Sequence, residues 1–266
     1  MTKERKTLVV GIGEVGSALM KVLEREGAVL WHDIEPREFA DPIGTMHFCI
    51  PYRFPAEFES TALSYIRRFK PLLTIINSTV VPGTTRRIAK QAGAAVAYSP
   101  VRGKHARMTE DLLRYAKFVA APDPAVAKAA EKHFASVKMK TRRIARVETL
   151  ELAKLAETSY FGVLIAFAQE LNRYAERVDA DYSELSNFFE EIDFLPSTSY
   201  FPGFIGGHCV IPNLHLLKRI GPSQLFDAVL DSNERRAVEL ANQANRRPSN
   251  QARTERDHEG KLLANR

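Results

Sequence analysis

A cysteine near the C-terminal end of the chain, Cys209, lies in the stretch "FPGFIGGHCVIPN", Phe201 to Asn213, among three glycines. A structural cysteine needs only an apolar pocket. A reactive one needs open approach for a substrate and positive charge nearby to hold its thiolate. Glycines let the backbone bend and let a substrate come close, which suits the reactive reading without excluding the packed one.

A second group of glycines stands at the other end. "VVGIGEVGSAL" places Gly11, Gly13 and Gly16 in a G-x-G-x-x-G pattern that follows a strand and opens a helix. In that context the pattern binds a dinucleotide. Gly11 permits the tight turn, Gly13 lets a pyrophosphate reach the backbone, and Gly16 lets the helix pack against the strand. Glu14 and Val15 form the first helical turn, where the N–H groups hold phosphate. Asp33 follows Gly11 by 22 residues, at the end of the second strand, and is the acid expected on the adenosine ribose hydroxyls. A carboxylate there repels a 2′-phosphate, so the expected cofactor is NAD rather than NADP. Pro51, Ser78 and Thr79, at the ends of two later strands, complete the expected cofactor site. The Ser78 and Thr79 hydroxyls contact cofactor or substrate, or else belong to a capped turn.

These residues need a scaffold. "TLVVGIG", "AVLWHDI", "MHFCIP", "LLTIINSTV", "AAVAYSP" and "KFVAAP" read as strands, with helical patterns such as Glu14–Glu26 and Phe58–Phe69 between them. Their near-continuous apolar runs suit strands buried on both faces. The alternation predicts an α/β fold: a Rossmann-type doubly wound parallel sheet over residues 1–146. Asp123 before Pro124 reads as the cap of a further helix. From Glu148 to about Val178 runs one long helical pattern, which opens a helical dimerisation and substrate domain over residues 147–240. Its centre, "YFGVLIAFA", is apolar nearly all round, so burial against a partner subunit and a homodimer are expected. Another helix is expected from about Ser223 to Ala244, and residues 241–266 read as a polar, disordered tail.

The net charge of +6 and pI near 9.3 suit anionic ligands such as phosphates. The positive charge is spread along the chain without a nucleic-acid motif, so no nucleic-acid partner is expected. No metal is called for, and no apolar run is long enough to span a membrane. Two distant cysteines and a start without a signal-peptide pattern make the cytoplasm the expected location.

"VVGIGEVGSAL", "NSTVVPGTT", "ELAKLAETSYFGVLIAFAQEL" and "PGFIGGHCVIPN", in that order, resemble the nucleotide-sugar 6-dehydrogenases, the UDP-glucose and UDP-N-acetylmannosamine dehydrogenase family. The likeness covers roughly residues 7–220. It implies an NAD-binding Rossmann domain, a long dimerisation helix, and oxidation of a primary alcohol to a carboxylate with two NAD molecules. It implies that Cys209 captures the intermediate aldehyde as a thiohemiacetal and carries the thioester. Lys154 matches the lysine that stabilises the developing alkoxide, and thiol and amine are expected to converge beside the nicotinamide.

Three positions depart from the family pattern. Thr158 stands where the family has asparagine, Asn213 where it has an aspartate that assists proton transfer, and Val101 where it usually has a glutamate that orients water. An amide cannot act as a carboxylate base at neutral pH. His105 and His208 are candidates for a replacement base, or are ordinary loop histidines. The family's third, nucleotide-binding domain is expected to be missing, giving a shortened form. The expectation is an NAD-dependent oxidoreductase with a small-molecule substrate, in which Cys209, Lys154, Asn213 and Thr158 form the catalytic set. The alternatives are a single-step β-hydroxyacid-dehydrogenase-like enzyme, which needs no thiol, and a catalytically impaired NAD-binding protein.

Overall fold

The structure is a computed structural model that describes residues 4–35, 37–103, 105–190, 192–193, 200–207 and 209–246. The chain divides into two compact units, Met1–Ala156 and Glu157–Arg266.

The first unit is built on five parallel strands: β1 (Lys6–Val10), β2 (Val29–His32), β3 (Ile43–Phe48), β4 (Leu73–Ile76) and β5 (Val96–Tyr98). Their order is β2-β1-β3-β4-β5. Val10 lies level with His32 on one side and Phe48 on the other, so these three strands end together. The order reverses between β1 and β3, and open sheets of this kind bind ligands in the crevice at such a switch point.

Five helices cover the sheet: α1 (Glu14–Leu23), α2 (Pro55–Phe69), α3 (Thr84–Ala92), α4 (Met108–Arg114) and α5 (Pro124–Ser136). Strand side chains alternate between the faces. Val9, Ile75 and Ala97 pack with Leu19 and Val22 of α1, Leu112 of α4 and Phe134 of α5. Leu8, Val10, Phe48 and Ile76 pack with Phe58 and Ile66 of α2 and Ile88 of α3. Both faces are therefore buried, which is why the strands read as unbroken apolar runs. The fold class is the expected Rossmann-type doubly wound α/β sheet. Asp123 caps α5 as expected, its carboxylate accepting from Ala125 N at 2.8 Å.

Two elements differ from the sequence reading. The segment "KFVAAP" forms β6 (Lys117–Val119), which pairs with β7 (Thr141–Arg143) rather than joining the main sheet. A single antiparallel bridge from Tyr98 to Ala120 links it to β5. The β7 residues "TRR" carry no apolar run, and so gave no strand signal.

A long helix, α6 (Val147–Arg177), begins in the first unit and continues into the second. The second unit adds α7 (Tyr182–Glu190), α8 (Val210–Lys218) and α9 (Gln224–Arg246). Its core joins Ala166, Ile205, Val210, Leu214 and Val229. The helix α9 runs to Arg246, into the segment read as a tail. Residues 247–266 lie outside the described residues. Among the described residues no helix is long and apolar enough to cross a membrane.

Candidate active site

The glycine-rich turn joins β1 to α1 at the switch point. Gly11 has φ +83°, a left-handed conformation, and donates its N–H to the carbonyl of His32 at 2.8 Å. A Cβ on Gly16 would stand 1.8 Å from the Gly11 carbonyl oxygen, so no side chain fits where α1 crosses the turn. A Cβ on Gly13 would meet nothing within 4 Å. Close packing at Gly16 and open space at Gly13 are what a bound pyrophosphate needs. Glu14 is exposed at the mouth of this turn, whereas Val15 packs against the core beneath it.

Asp33 follows β2 and leans onto the same turn. Its two carboxylate oxygens accept from Ile12 N at 3.2 Å and Ile34 N at 2.9 Å. Each oxygen keeps a lone pair for a ribose hydroxyl. Pro51 is exposed just beyond β3. Ser78 is buried and gives its proton to the Ile50 carbonyl at 2.6 Å, which ties the exits of β3 and β4 together. Thr79 beside it is half-buried. The glycine cradle, the pinned carboxylate and the open Gly13 face together fit a dinucleotide.

Beneath this edge runs a buried polar row that the sequence did not reveal. Lys117 Nζ donates to the carbonyls of Ser99 at 2.8 Å and Pro100 at 2.9 Å, and to Asn77 Oδ1 at 3.4 Å. The Asn77 amide in turn faces His47 Nδ1 at 3.2 Å, and His47 Nε2 faces His133 Nε2 at 2.8 Å. Burial pushes the Lys117 ammonium down to about 7, against the pull of Cys49 and with help from the charges of Lys154 and Arg102. Burial pushes the Cys49 thiol up to about 12, with Lys117 and Asn77 acting the other way. Cys49 is therefore a neutral, unreactive thiol near pH 7.

Lys154 is half-buried in the part of α6 that belongs to the first unit. One turn before it, fully buried Glu151 accepts from Gly83 N at 2.6 Å and Thr85 N at 2.8 Å. It thereby caps α3, which has no capping side chain of its own. Burial raises the Glu151 pKa, opposed by hydrogen bonds from Thr85 and Gly83. Glu148 adds an ion pair with Arg86 of α3 at 2.5 Å. The helix segment that carries Lys154 is thus fastened to the turn "PGTT".

In the second unit Cys209 is half-buried and immediately precedes α8 as its N-cap residue. The next residue, Val210, packs on Gly162 of α6, where a Cβ would come within 2.7 Å of Val210 Cγ1. One turn along α8, buried Asn213 donates its amide to the Thr158 hydroxyl at 2.8 Å. Two of the three positions that depart from the family pattern are therefore hydrogen-bonded to each other. The third, Val101, is buried in the apolar core with Met108 and Leu112, and its side chain carries no polar group. His208 lies outside the described residues, and of His105 only the backbone is described, in a one-turn 3₁₀ helix.

Comparison with known proteins bears on the fold and on the central part of the chain. Residues 148–235 match the central domain of the UDP-glucose/GDP-mannose dehydrogenase family. The UDP-N-acetyl-D-mannosamine dehydrogenase of Methanocaldococcus jannaschii is 28% identical over 145 residues, 52% of this chain and 33% of that protein. The Pyrococcus horikoshii enzyme of the same name is 26% identical over 197 residues, 65% of this chain and 46% of that protein. The chain thus spans less than half the length of either curated relative. The solved structure of the UDP-D-ManNAc dehydrogenase from Pyrococcus horikoshii shares the fold, with a TM-score of 0.78, 20% identity, and coverage of 89% of this chain and 70% of that one. The resemblance read from the motifs is supported: residues 148–235 are similar to the central domain of the UDP-glucose/GDP-mannose dehydrogenase family, and the chain is similar to UDP-N-acetyl-D-mannosamine dehydrogenases over part of their length.

Proposed function

We propose that this protein is an NAD-dependent dehydrogenase that oxidises a primary alcohol of a sugar nucleotide. The observation that carries this reading is the glycine cradle at the switch point. There Gly16 admits no side chain and Gly13 leaves open space beside a pinned Asp33. Residues 1–146 form the NAD-binding domain in this reading, with Gly11, Gly13, Glu14, Val15 and Gly16 under the pyrophosphate and Asp33 on the adenosine ribose. Pro51, Ser78 and Thr79 border the nicotinamide end. When bound, NAD supplies the hydride acceptor.

The chain's own residues do the rest. Lys154 stabilises the alkoxide as the alcohol proton leaves. The alcohol carbon would give its first hydride to the bound acceptor and become an aldehyde. Cys209 Sγ then adds to the aldehyde carbon, forming a carbon–sulfur bond while the carbonyl oxygen takes up a proton, and the resulting thiohemiacetal would lose its hydroxyl proton to water and a second hydride to a second acceptor molecule to become a thioester. The position of Cys209 before α8 supports this role, because a helix N-terminus favours a negative sulfur. Water must then cleave the thioester. Asn213 and Thr158 are placed beside each other and supply hydrogen bonds there, but neither is a base at neutral pH. Hydrolysis is therefore the slow step.

Residues 147–240 are the dimerisation and substrate domain in this reading. Along α6, Tyr160, Leu164, Phe167, Leu171 and Tyr174 follow a four-three repeat. Tyr160, Phe167 and Tyr174 are 57%, 62% and 59% exposed. An apolar seam of this period fits a second helix, and we assign it to the same helix of a second copy. Neither cysteine forms a disulfide, which suits the cytoplasm. The test is NADH formation with a panel of UDP-sugars, by wild type and Cys209→Ser. Loss of the second oxidation in Cys209→Ser is the expected result. Unchanged turnover would favour the single-step β-hydroxyacid type. No NADH from any alcohol, with NAD bound, would leave a binding protein without this chemistry.

A further inference from the structure

We infer that Asn233 is a positioning residue for the Cys209 loop, an inference that rests on the thiol role proposed above. The loop from Phe201 to Gly207 forms no helix or strand, so its backbone groups need other partners. Two buried amides of the helices beneath it provide them. Asn233 of α9 accepts from Ile205 N at 2.7 Å through Oδ1 and donates from Nδ2 to the Ile205 carbonyl at 3.1 Å. It holds both backbone groups of one residue, as a neighbouring strand would. Gln169 of α6 donates from Nε2 to the Gly203 carbonyl at 2.6 Å and to Asn233 Oδ1 at 3.3 Å.

Only an amide serves at position 233. Ile205 offers one donor and one acceptor, and Asn233 answers each with the opposite group. A carboxylate loses the donor, and an aliphatic residue loses both. The amides are themselves held. Gln169 Oε1 accepts from the Ser232 hydroxyl at 3.0 Å, and Ser232 accepts from Arg173 at 3.0 Å. Arg173 reaches Glu239 at 2.5 Å. Gln169, Ser232, Asn233 and Arg173 are all buried. A buried network of this kind holds the two amides in one orientation.

The network grips the chain four residues before Cys209, and the first turn of α8 grips it just after, through Val210 on Gly162 and Asn213 on Thr158. Cys209 is thereby held from both sides. Two buried side-chain amides committed to two loop carbonyls and one loop N–H are a means of setting where the following residues stand. They need no contact with the thiol itself.

The experiment is alkylation of Cys209 by iodoacetamide, followed by peptide mass spectrometry from pH 6 to pH 10, in wild type and Asn233→Ala. Cys49 on a separate peptide is the internal control. The wild-type profile is expected to differ from that of an unstructured cysteine peptide. Asn233→Ala is expected to move it towards that peptide, with a rate change of about threefold or more at pH 7, while NAD binding is retained. Superimposable profiles from a folded Asn233→Ala would overturn the inference. Should that variant not fold, Gln169→Met, which removes one arm, must shift the profile in the same direction. Amide exchange on the unaltered protein gives a further arm. Ile205 N–H must exchange as slowly as the central amides of α9, and fast exchange there would overturn the clamp. None of these readouts needs a substrate. Unchanged NADH production by Cys209→Ser would therefore sink the thiol chemistry and leave the clamp standing.

Discussion

The side-chain amide of Asn213 donates to the hydroxyl of Thr158 at 2.8 Å. Asparagine here replaces an aspartate expected from the family pattern, and threonine an asparagine, so the two departures answer one another. A hydroxyl can accept from an amide or donate to a carboxylate. Asn213→Asp is therefore expected to keep this hydrogen bond with its direction reversed and to supply a base for water. The steady-state rate of NADH formation after the first turnover should rise, with less acyl-enzyme trapped in a mass-spectrometric time course. An unchanged rate and an unchanged acyl-enzyme level would mean that position 213 is not where hydrolysis is limited.

Gly13 and Gly16 should separate binding from folding. A Cβ at Gly16 would overlap the Gly11 carbonyl oxygen at 1.8 Å, so Gly16→Ala must push α1 off the turn, at a cost of about 1–3 kcal/mol. A Cβ at Gly13 meets nothing, so Gly13→Ala should melt like the wild type while losing NAD affinity by about tenfold or more. Melting curves and calorimetric titration with NAD check both. Equal NAD affinity in Gly13→Ala would remove the cradle as the binding site.

Glu151 should act through α3 and α6 together. Its carboxylate takes the N–H groups of Gly83 and Thr85, and Glu151→Ala leaves both without an acceptor in a buried place. The expected loss of stability is about 2–4 kcal/mol by urea denaturation. Glu151→Gln, which keeps one acceptor, should lose less. A loss below about 0.5 kcal/mol for Glu151→Ala would mean that water replaces the carboxylate at the α3 terminus.

The His47–His133 pair makes stability depend on pH. Burial holds both pKa values below the ordinary 6.5, with the charge of His133 also acting on His47, and His133 falls to about 4. The folded pair stays neutral where the unfolded chain takes up protons. Stability is therefore full above pH 6.5 and is lost as pH falls towards 4, by about 3 kcal/mol from His133 alone. Denaturant midpoints between pH 7.5 and pH 4.5 should show this loss, and His133→Asn should flatten it. A His133→Asn curve parallel to the wild type would assign the acid sensitivity elsewhere.

Much of the fold was legible because it rests on pattern. The unbroken apolar strands, the glycine turn and the long helix each have a period or a composition that survives without coordinates. What escaped depends on tertiary packing. Glu151, Gln169 and Asn233 sit in helical stretches where polar residues read as solvated, and only the facing backbone of Gly83, Gly203 and Ile205 makes them structural. The helix α8 was missed because Pro212 reads as a breaker, although within a first turn proline gives up only an N–H that has no helical partner. Lys117 was missed because a strand lysine reads as an edge residue, yet three acceptors surround its ammonium in the interior. The donation of the Ser78 proton to the Ile50 carbonyl has no signal in the sequence, because it depends on how β3 and β4 end side by side.

The most direct test of the account is a single-turnover assay with NAD and the UDP-sugar that yields NADH in the panel, followed by mass spectrometry of the Cys209 peptide. The account predicts NADH formation together with an acyl adduct on Cys209 that is absent from Cys209→Ser. NADH formation with an unmodified Cys209 and full turnover by Cys209→Ser would contradict it.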